Sequence, residues 1–289
     1  MKKKFGDRRD ASLIKNLDSM HFIMPHIYPN RCDNEAFVSE RIDLTRLGAY
    51  LEQKNSANPE YKYNLFQAIV TALLKTITLR PKMNRFIANK KFYQRNEISA
   101  AFIIKKIFSD KGEEGMAFIH SKPADNINTI HDEIYRQVSH CRSGDEKNDS
   151  TEKSMDLFNR LPGFISRIIL GILCILDRHG RIPEPIIKTD PFYSSVVLSN
   201  LGSIKLRSGY HHLTNWGTTS LFVVIGERKL RPFYDDYGNI DMRDSVDIGL
   251  TVDERIADGY YFSKTIRLFK KLLENPELLE GPLGEGVDI

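Results

Sequence analysis

Two places in the sequence bring together side chains able to move protons. The first is Asp253-Glu254-Arg255-Ile256-Ala257-Asp258-Gly259, with three carboxylates around one guanidinium. The second is His211-His212 in the string GYHHLTNWG, beside Trp216, the single tryptophan of the chain. A base fixed on a strand-to-helix turn is well placed for general-base catalysis, because backbone on both sides holds it and little ordering is left for the reaction. The same residues also have plainer roles. Asp253 and Asp258 suit the N-terminal capping of a following helix, and paired loop histidines suit ordinary surface hydrogen bonding. Adjacent histidines diverge and no third ligand stands near them, so no metal site is expected.

The elements that must hold these residues follow from periodicity. Val246 to Val252 reads as a strand, and Gly259 to Glu274 as a helix with Phe262, Ile266, Phe269 and Leu273 on one face. Phe192 to Asn200 and Ser220 to Gly226 are further strands around the histidine loop. Earlier in the chain, Met20 to Asn30 carries two prolines and reads as an extended lead-in. Glu35 to Asp43 alternates as a strand with Ala36, Val38 and Ile42 on one face. Asp43 then caps a helix to about Asn55, and Asn64 caps another with Leu65, Ile69, Leu73 and Ile77 in its stripe. Phe86 to Tyr93 contains a turn at Ala88-Asn89-Lys90. Ile98 to Phe108 and Gly115 to His120 are strands, and Asp125 to Cys141 is an amphipathic helix. Ser143 to Lys153 is an exposed connection. A long helix follows from Met155 to about His179, and its most apolar part, Phe164 to Leu176, is expected in the core. That stretch is too short to span a membrane and carries Arg167. The pattern is mixed α and β.

The bulk properties allow one large domain: 289 residues, 41% apolar, 28% charged, net charge +4. Lys2, Lys3, Lys4, Arg8 and Arg9 read as a solvated run rather than a nucleic-acid contact. The three cysteines, Cys32, Cys141 and Cys174, form no CxxC pair, so no disulfide framework or zinc site is expected and a cytoplasmic setting fits. No signal peptide is read at the start. Nucleic-acid and membrane partners are not expected.

Set beside these readings, the chain resembles the catalytic domain of the dihydrolipoyl acyltransferases of 2-oxo acid dehydrogenases. Their motif is Asp-His-Arg, two variable residues, then Asp-Gly; here it reads Asp253-Glu254-Arg255-x-x-Asp258-Gly259, and the helix after it ends LLENPELL at 272–279. Ser199-Asn200-Leu201-Gly202 resembles the Ser-Asn-Leu-Gly turn of the family, and SLFVVIG at 220–226 its next strand. MPHIYPN and the segment Arg80 to Phe86 complete four pieces in family order. The resemblance implies an α/β (α+β) two-layer sandwich of the chloramphenicol-acetyltransferase type, a mixed sheet with helices packed on it. It covers residues 20–280, after a basic extension at 1–19 and before a tail at 281–289.

The resemblance also implies a function: acyl transfer between coenzyme A, as substrate, and a thiol or hydroxyl acceptor, in a site between subunits of a homotrimer. The family histidine is the general base, and Glu254 stands in its place. An ordinary glutamate carboxylate, with a pKa of ~4.3, is a weak base toward a thiol of ~8.5 unless burial raises it. His211 and His212 lie in the loop facing acceptor and base and are alternative bases. Ser208 falls near the position of the hydroxyl that stabilises the oxyanion. Asp258 takes the role of the motif aspartate that ties down the turn through an arginine, while Asp253, Arg255 and Gly259 keep the turn. No lipoyl-lysine turn is read in the sequence, so no covalently bound lipoyl group is expected. The acyl group then comes from acyl-CoA or from a lipoylated carrier in trans. A catalytically silent paralogue serving as a trimeric module is the alternative.

Overall fold

The computed structural model describes residues 4–105, 114–142 and 161–288. Its centre is a six-stranded mixed sheet in the order β2-β9-β8-β7-β5-β6, built from β2 (Glu35–Asp43), β5 (Ile98–Lys105), β6 (Glu114–Ser121), β7 (Val196–Asn200), β8 (Leu221–Tyr234) and β9 (Ile240–Asp253). β7 runs parallel to both β5 and β8; the other neighbours are antiparallel. One sheet face meets α2 (Thr45–Ser56), α3 (Leu65–Leu79), α4 (Ile127–Arg142) and α7 (Gly259–Glu274) in a single apolar cluster. That cluster uses Ala36, Val38 and Ile42 of β2, the face that strand alternation assigns to them. This is the expected two-layer α/β architecture. A smaller sheet, β1-β4-β3, joins β1 (Ala11–Leu13), β3 (Arg85–Ala88) and β4 (Lys91–Arg95) at one side.

Local chemistry explains most boundaries. Asn64 accepts from the Gln67 amide while the Gln67 side chain accepts from the Asn64 amide, a reciprocal cap that starts α3. The two-residue turn between β3 and β4 puts Asn89 and Lys90 at φ 48° and 60°, the left-handed pair that a tight hairpin needs. Asp43 accepts from both the amide and the hydroxyl of Thr45 at the head of α2.

Three expectations fail. Ser19–Ile27 forms a helix, α1, rather than an extended lead-in. Asp18 caps it through the His21 amide, which offsets the donor lost at Pro25. The amino-terminal run is not all solvated: Arg8 is 4% exposed, its guanidinium 5.3 Å from the Phe86 ring and 3.6 Å from Asp177. The apolar helix is not in the core. α5 (Gly163–Arg178) buries only Asp177 and, among the described residues, joins no buried apolar cluster, because α2, α3, α4 and α7 already cover the helical face of the sheet. The helix also starts only at Gly163, after Pro162, and is not one run from Met155. Met155 itself, the connection Ser143–Lys153 and the end of the strand at Phe108 lie outside the described residues. β8 and β9 also run beyond the apolar stretches expected of them, because cross-strand ion pairs such as Arg228–Asp244 extend the hairpin through charged sequence. A short helix, α6 (Glu184–Thr189), follows α5.

The chain at the end of the LLENPELL string is bonded to the body at two points, one buried and one half-buried. Lys75, 1% exposed, donates to the carbonyls of Leu278 and Pro282 at 2.8 and 2.9 Å. Glu280 accepts from Lys54 at 2.7 Å, from the Tyr50 hydroxyl and from Asn128. Burial alone would raise the Glu280 carboxyl, but the bonds from Lys54 and Tyr50 outweigh it and hold it below the usual value. A folded-state pKa below the unfolded one stabilises above the unfolded value and is lost as pH falls through the folded value. Glu280→Gln is therefore expected to lower the melting temperature at neutral pH, and the gap from the parent should close below about pH 4. Thermal melts of both proteins across pH check this, and a gap independent of pH would refute it.

Candidate functional site

The turn after β9 is held almost entirely by its own charges. Asp253 is fully buried and Arg255 is 2% exposed. Arg255 donates to Asp253 through Nε at 2.8 Å and Nη2 at 2.7 Å, and to the Tyr28 carbonyl through Nη1 at 2.6 Å. A second buried guanidinium, Arg31, approaches the same carboxylate to 3.9 Å. The backbone on either side is tied as well, Asp253 to Ser220 at 3.0 Å and Glu254 to Asn34 at 2.9 Å. Glu254 thus sits on a fixed backbone with its side chain exposed.

The roles of the two aspartates differ from those the motif implies. Asp253, not Asp258, holds the arginine. Asp258 is exposed and caps α7 through the Tyr261 amide at 2.8 Å. That amide, with Lys82 at 3.7 Å, holds its carboxyl below the usual range. Gly259 opens α7.

The histidine loop lies across the sheet face opposite the helices. Small residues beneath it make this possible: a Cβ at Gly249 would stand 1.9 Å from the Gly209 carbonyl oxygen, and one at Gly226 2.4 Å from the Ser208 nitrogen. His211 stacks on Phe222 with centroids 4.1 Å apart and planes 7° from parallel. His212 stacks on His211 at 4.7 Å, and its carbonyl bonds the His211 Nδ1 at 2.9 Å. Arg31 then pins the end of the loop, donating to the carbonyls of Thr214 at 2.6 Å and Gly217 at 3.2 Å. Glu35 accepts from the Leu213 amide, and the Cys32 thiol donates to the Leu213 carbonyl at 3.1 Å.

Within one chain the expected site residues form two groups. His211 and His212 are together. Glu254 has no hydrogen bond or ring contact to either, or to Ser208, among the described residues. Strand rise gives the separation. Gly209 lies over Gly249, roughly 17 Å along β9 from Glu254, with Ser208 further on over Gly226, and His211, over the Phe222–Thr251 pair, is about 10 Å away. A cavity of about 240 Å³ opens beside Arg31, Asp177 and Gly217, and one of about 430 Å³ beside Asn200, Ser203 and Gly226; neither is lined by Glu254, Ser208 or the histidines. No three His, Cys, Asp or Glu side chains among the described residues converge as a metal ion would need.

Sequence reasoning missed the buried polar network behind the loop. Asp177 accepts from the Tyr193 hydroxyl at 2.7 Å and the Gly217 amide at 3.1 Å. Burial nevertheless pushes its carboxyl up. Arg95 bonds the Tyr193 carbonyl at 2.9 Å and Thr218 on both its hydroxyl and its carbonyl. Trp216 donates to Asp190 at 2.5 Å. These partners are scattered along the chain and have no local spacing to read.

Residues 191–280 match the family described as 2-oxoacid dehydrogenases acyltransferase (catalytic domain). The fold is that of an acyltransferase core. A probable dihydrolipoamide acetyltransferase from Listeria monocytogenes superposes with a TM-score of 0.59 at 15% identity, over 91% of this chain and 95% of its own. The dihydrolipoamide acetyltransferase of Azotobacter vinelandii, in a study of a serine, a histidine and an asparagine in its catalytic mechanism, gives 0.59 at 12% identity, over 92% and 93%. A chloramphenicol acetyltransferase gives 0.54 at 13% identity, over 92% and 98%. No curated protein matches by sequence.

Asp253 is the residue on which this acyltransferase-like turn rests. Asp253→Asn leaves Arg255 and Arg31 buried without a full counter-charge, and such breaks cost about 3–5 kcal/mol. Glu254→Gln, at an exposed side chain, should change stability by no more than about 0.5 kcal/mol. Urea unfolding of the two variants tests the contrast, and equal losses would contradict it.

Proposed function

We propose that the protein is a coenzyme-A-dependent acyltransferase whose site is completed between subunits of a homotrimer. The observation that carries this reading is the family match over 191–280, which spans both the Ser199–Gly202 turn and the Asp253–Gly259 turn. The rigid hold on the second turn supports it, since a base on that backbone needs no ordering at the moment of reaction. The separation of Glu254 from Ser208 and the histidines within one chain suits a site that takes one side from each subunit. The histidine and asparagine named for the Azotobacter enzyme are four positions apart, as are Glu254 and Asp258 here.

In the reaction, the base takes the proton of the acceptor thiol and the sulfur attacks the thioester carbonyl of acyl-CoA. The tetrahedral oxyanion collapses to a new thioester and the CoA thiolate, which recovers the proton. Glu254 is the base in the first version. A neighbouring subunit closing over it would desolvate the carboxylate and strengthen it as a base. In the second version His211 or His212 is the base. Ser208 supplies the oxyanion donor in both, and the acceptor is a free thiol or a lipoylated carrier supplied in trans. A silent trimeric module is the second reading of the whole protein; what favours it is a glutamate, exposed in the single chain, at the position of the base.

One assay separates these readings. Acyl transfer from acetyl-CoA to dihydrolipoamide and a panel of small thiols is measured for the parent and four variants. With Glu254 as base, Glu254→Gln should lose about 10²–10⁴ in turnover while His211→Ala and His212→Ala lose little. The reverse order assigns the base to the loop. Activity in Glu254→His alone would establish the silent module and refute the enzyme.

Assembly and ligand binding give separate checks. Sedimentation should show a trimer at micromolar concentration, and millimolar coenzyme A should raise the melting temperature by mass action. A stable monomer would refute the shared site.

A further inference from the structure

We propose that α5 is a membrane-surface element, which seats its outer face in the headgroup region of an anionic lipid bilayer. Phe164, Ile168, Ile172 and Ile175 recur every three or four residues along one side of the helix and are 52–67% exposed. Among the described residues, none of α5 belongs to a buried apolar cluster. The helix runs about 24 Å, short of the ~30 Å hydrocarbon thickness, and no helix among the described residues is long and apolar enough to cross a membrane. The face therefore lies along the surface rather than through it.

Charge selects the occupant. Helical spacing sets Arg167 and Arg178 about three turns apart on the same edge of the apolar stripe. Both are exposed, and neither pairs with a carboxylate among the described residues. The one acidic side chain of α5, Asp177, is buried and turned inward to Tyr193 and Gly217. The exposed charge of the helix is thus wholly cationic along an apolar stripe, the pattern that binds anionic lipid. A twofold contact of α5 on α5 of a second copy fits worse, because it brings arginine to arginine with no exposed carboxylate on the helix to answer them. This departs from the sequence expectation of no membrane partner, and it does not depend on the acyltransferase reading.

Co-sedimentation with vesicles of phosphatidylcholine, alone and mixed with phosphatidylglycerol, tests it on the full chain. Binding is expected to the mixed vesicles and to fall with added salt. Arg167→Gln with Arg178→Gln should weaken it about 30-fold. Ile168→Ser with Ile172→Ser should weaken it by about 100-fold or more. Melting temperature and sedimentation of each variant accompany the binding curves, and the arginine pair, being on the surface, keeps the test open if the isoleucine pair does not fold. Absence of binding by the parent, or binding that neither variant changes, overturns the proposal. So does an isoleucine variant that folds but drops to a smaller oligomer, since α5 would then be a contact between copies.

Discussion

One buried carboxylate, Asp253, organises this molecule's candidate chemistry. It takes a two-point grip from Arg255 and a longer-range interaction from Arg31, and each arginine spends its remaining donors on carbonyls of other segments. Arg255 reaches back to the end of α1. Arg31 reaches the histidine loop and the β3–β4 hairpin. Two guanidiniums with fixed fork geometry thereby hold four pieces of chain around one negative charge. The turn bearing Glu254 and the loop bearing His211 and His212 are positioned by the same ion cluster, although their side chains do not meet.

Burying charge in this way is expensive, and the molecule offsets the cost with hydrogen bonds rather than with apolar contact. Arg31 makes three carbonyl bonds, while its Nε faces Asp253 at 3.9 Å, too far for a hydrogen bond. Asp177 is covered by Tyr193, Gly217 and Arg8. A polar network of this density behind an irregular loop fixes the path of that loop, with Trp216 edge-on to Tyr193 as its main apolar contact.

How much of this was legible in the sequence divides along a physical line. Alternation and capping are local, so β2, α3, the β3–β4 hairpin and α7 stand where periodicity puts them. The turn motif was legible too, through resemblance, together with the fold that accompanies it. Arg31, Asp177 and Arg95 were not, because a buried ion has no sequence signature until the fold brings its partners to it. Asp253 and Asp258 show a subtler failure. Both are aspartates near a helix start, and only burial separates the one that binds arginine from the one that caps. α5 misled for a related reason: apolar content says that a surface must be covered, not by what.

The loop resting on Gly249 and Gly226 has a bearing on how the sheet assembles. Gly249 is flanked by Ile248 and Leu250, both buried on the helical side. If β9 slipped by one residue against β8, every side chain on the strand would change face, and a branched chain would rise under the Gly209 carbonyl. A slip of two would put Asp247 or Thr251 there. None of these leaves room for the loop to lie down. The loop works as a gauge that closes only over the correctly paired sheet, so the stacking of His211 on Phe222 reports strand register as much as site geometry.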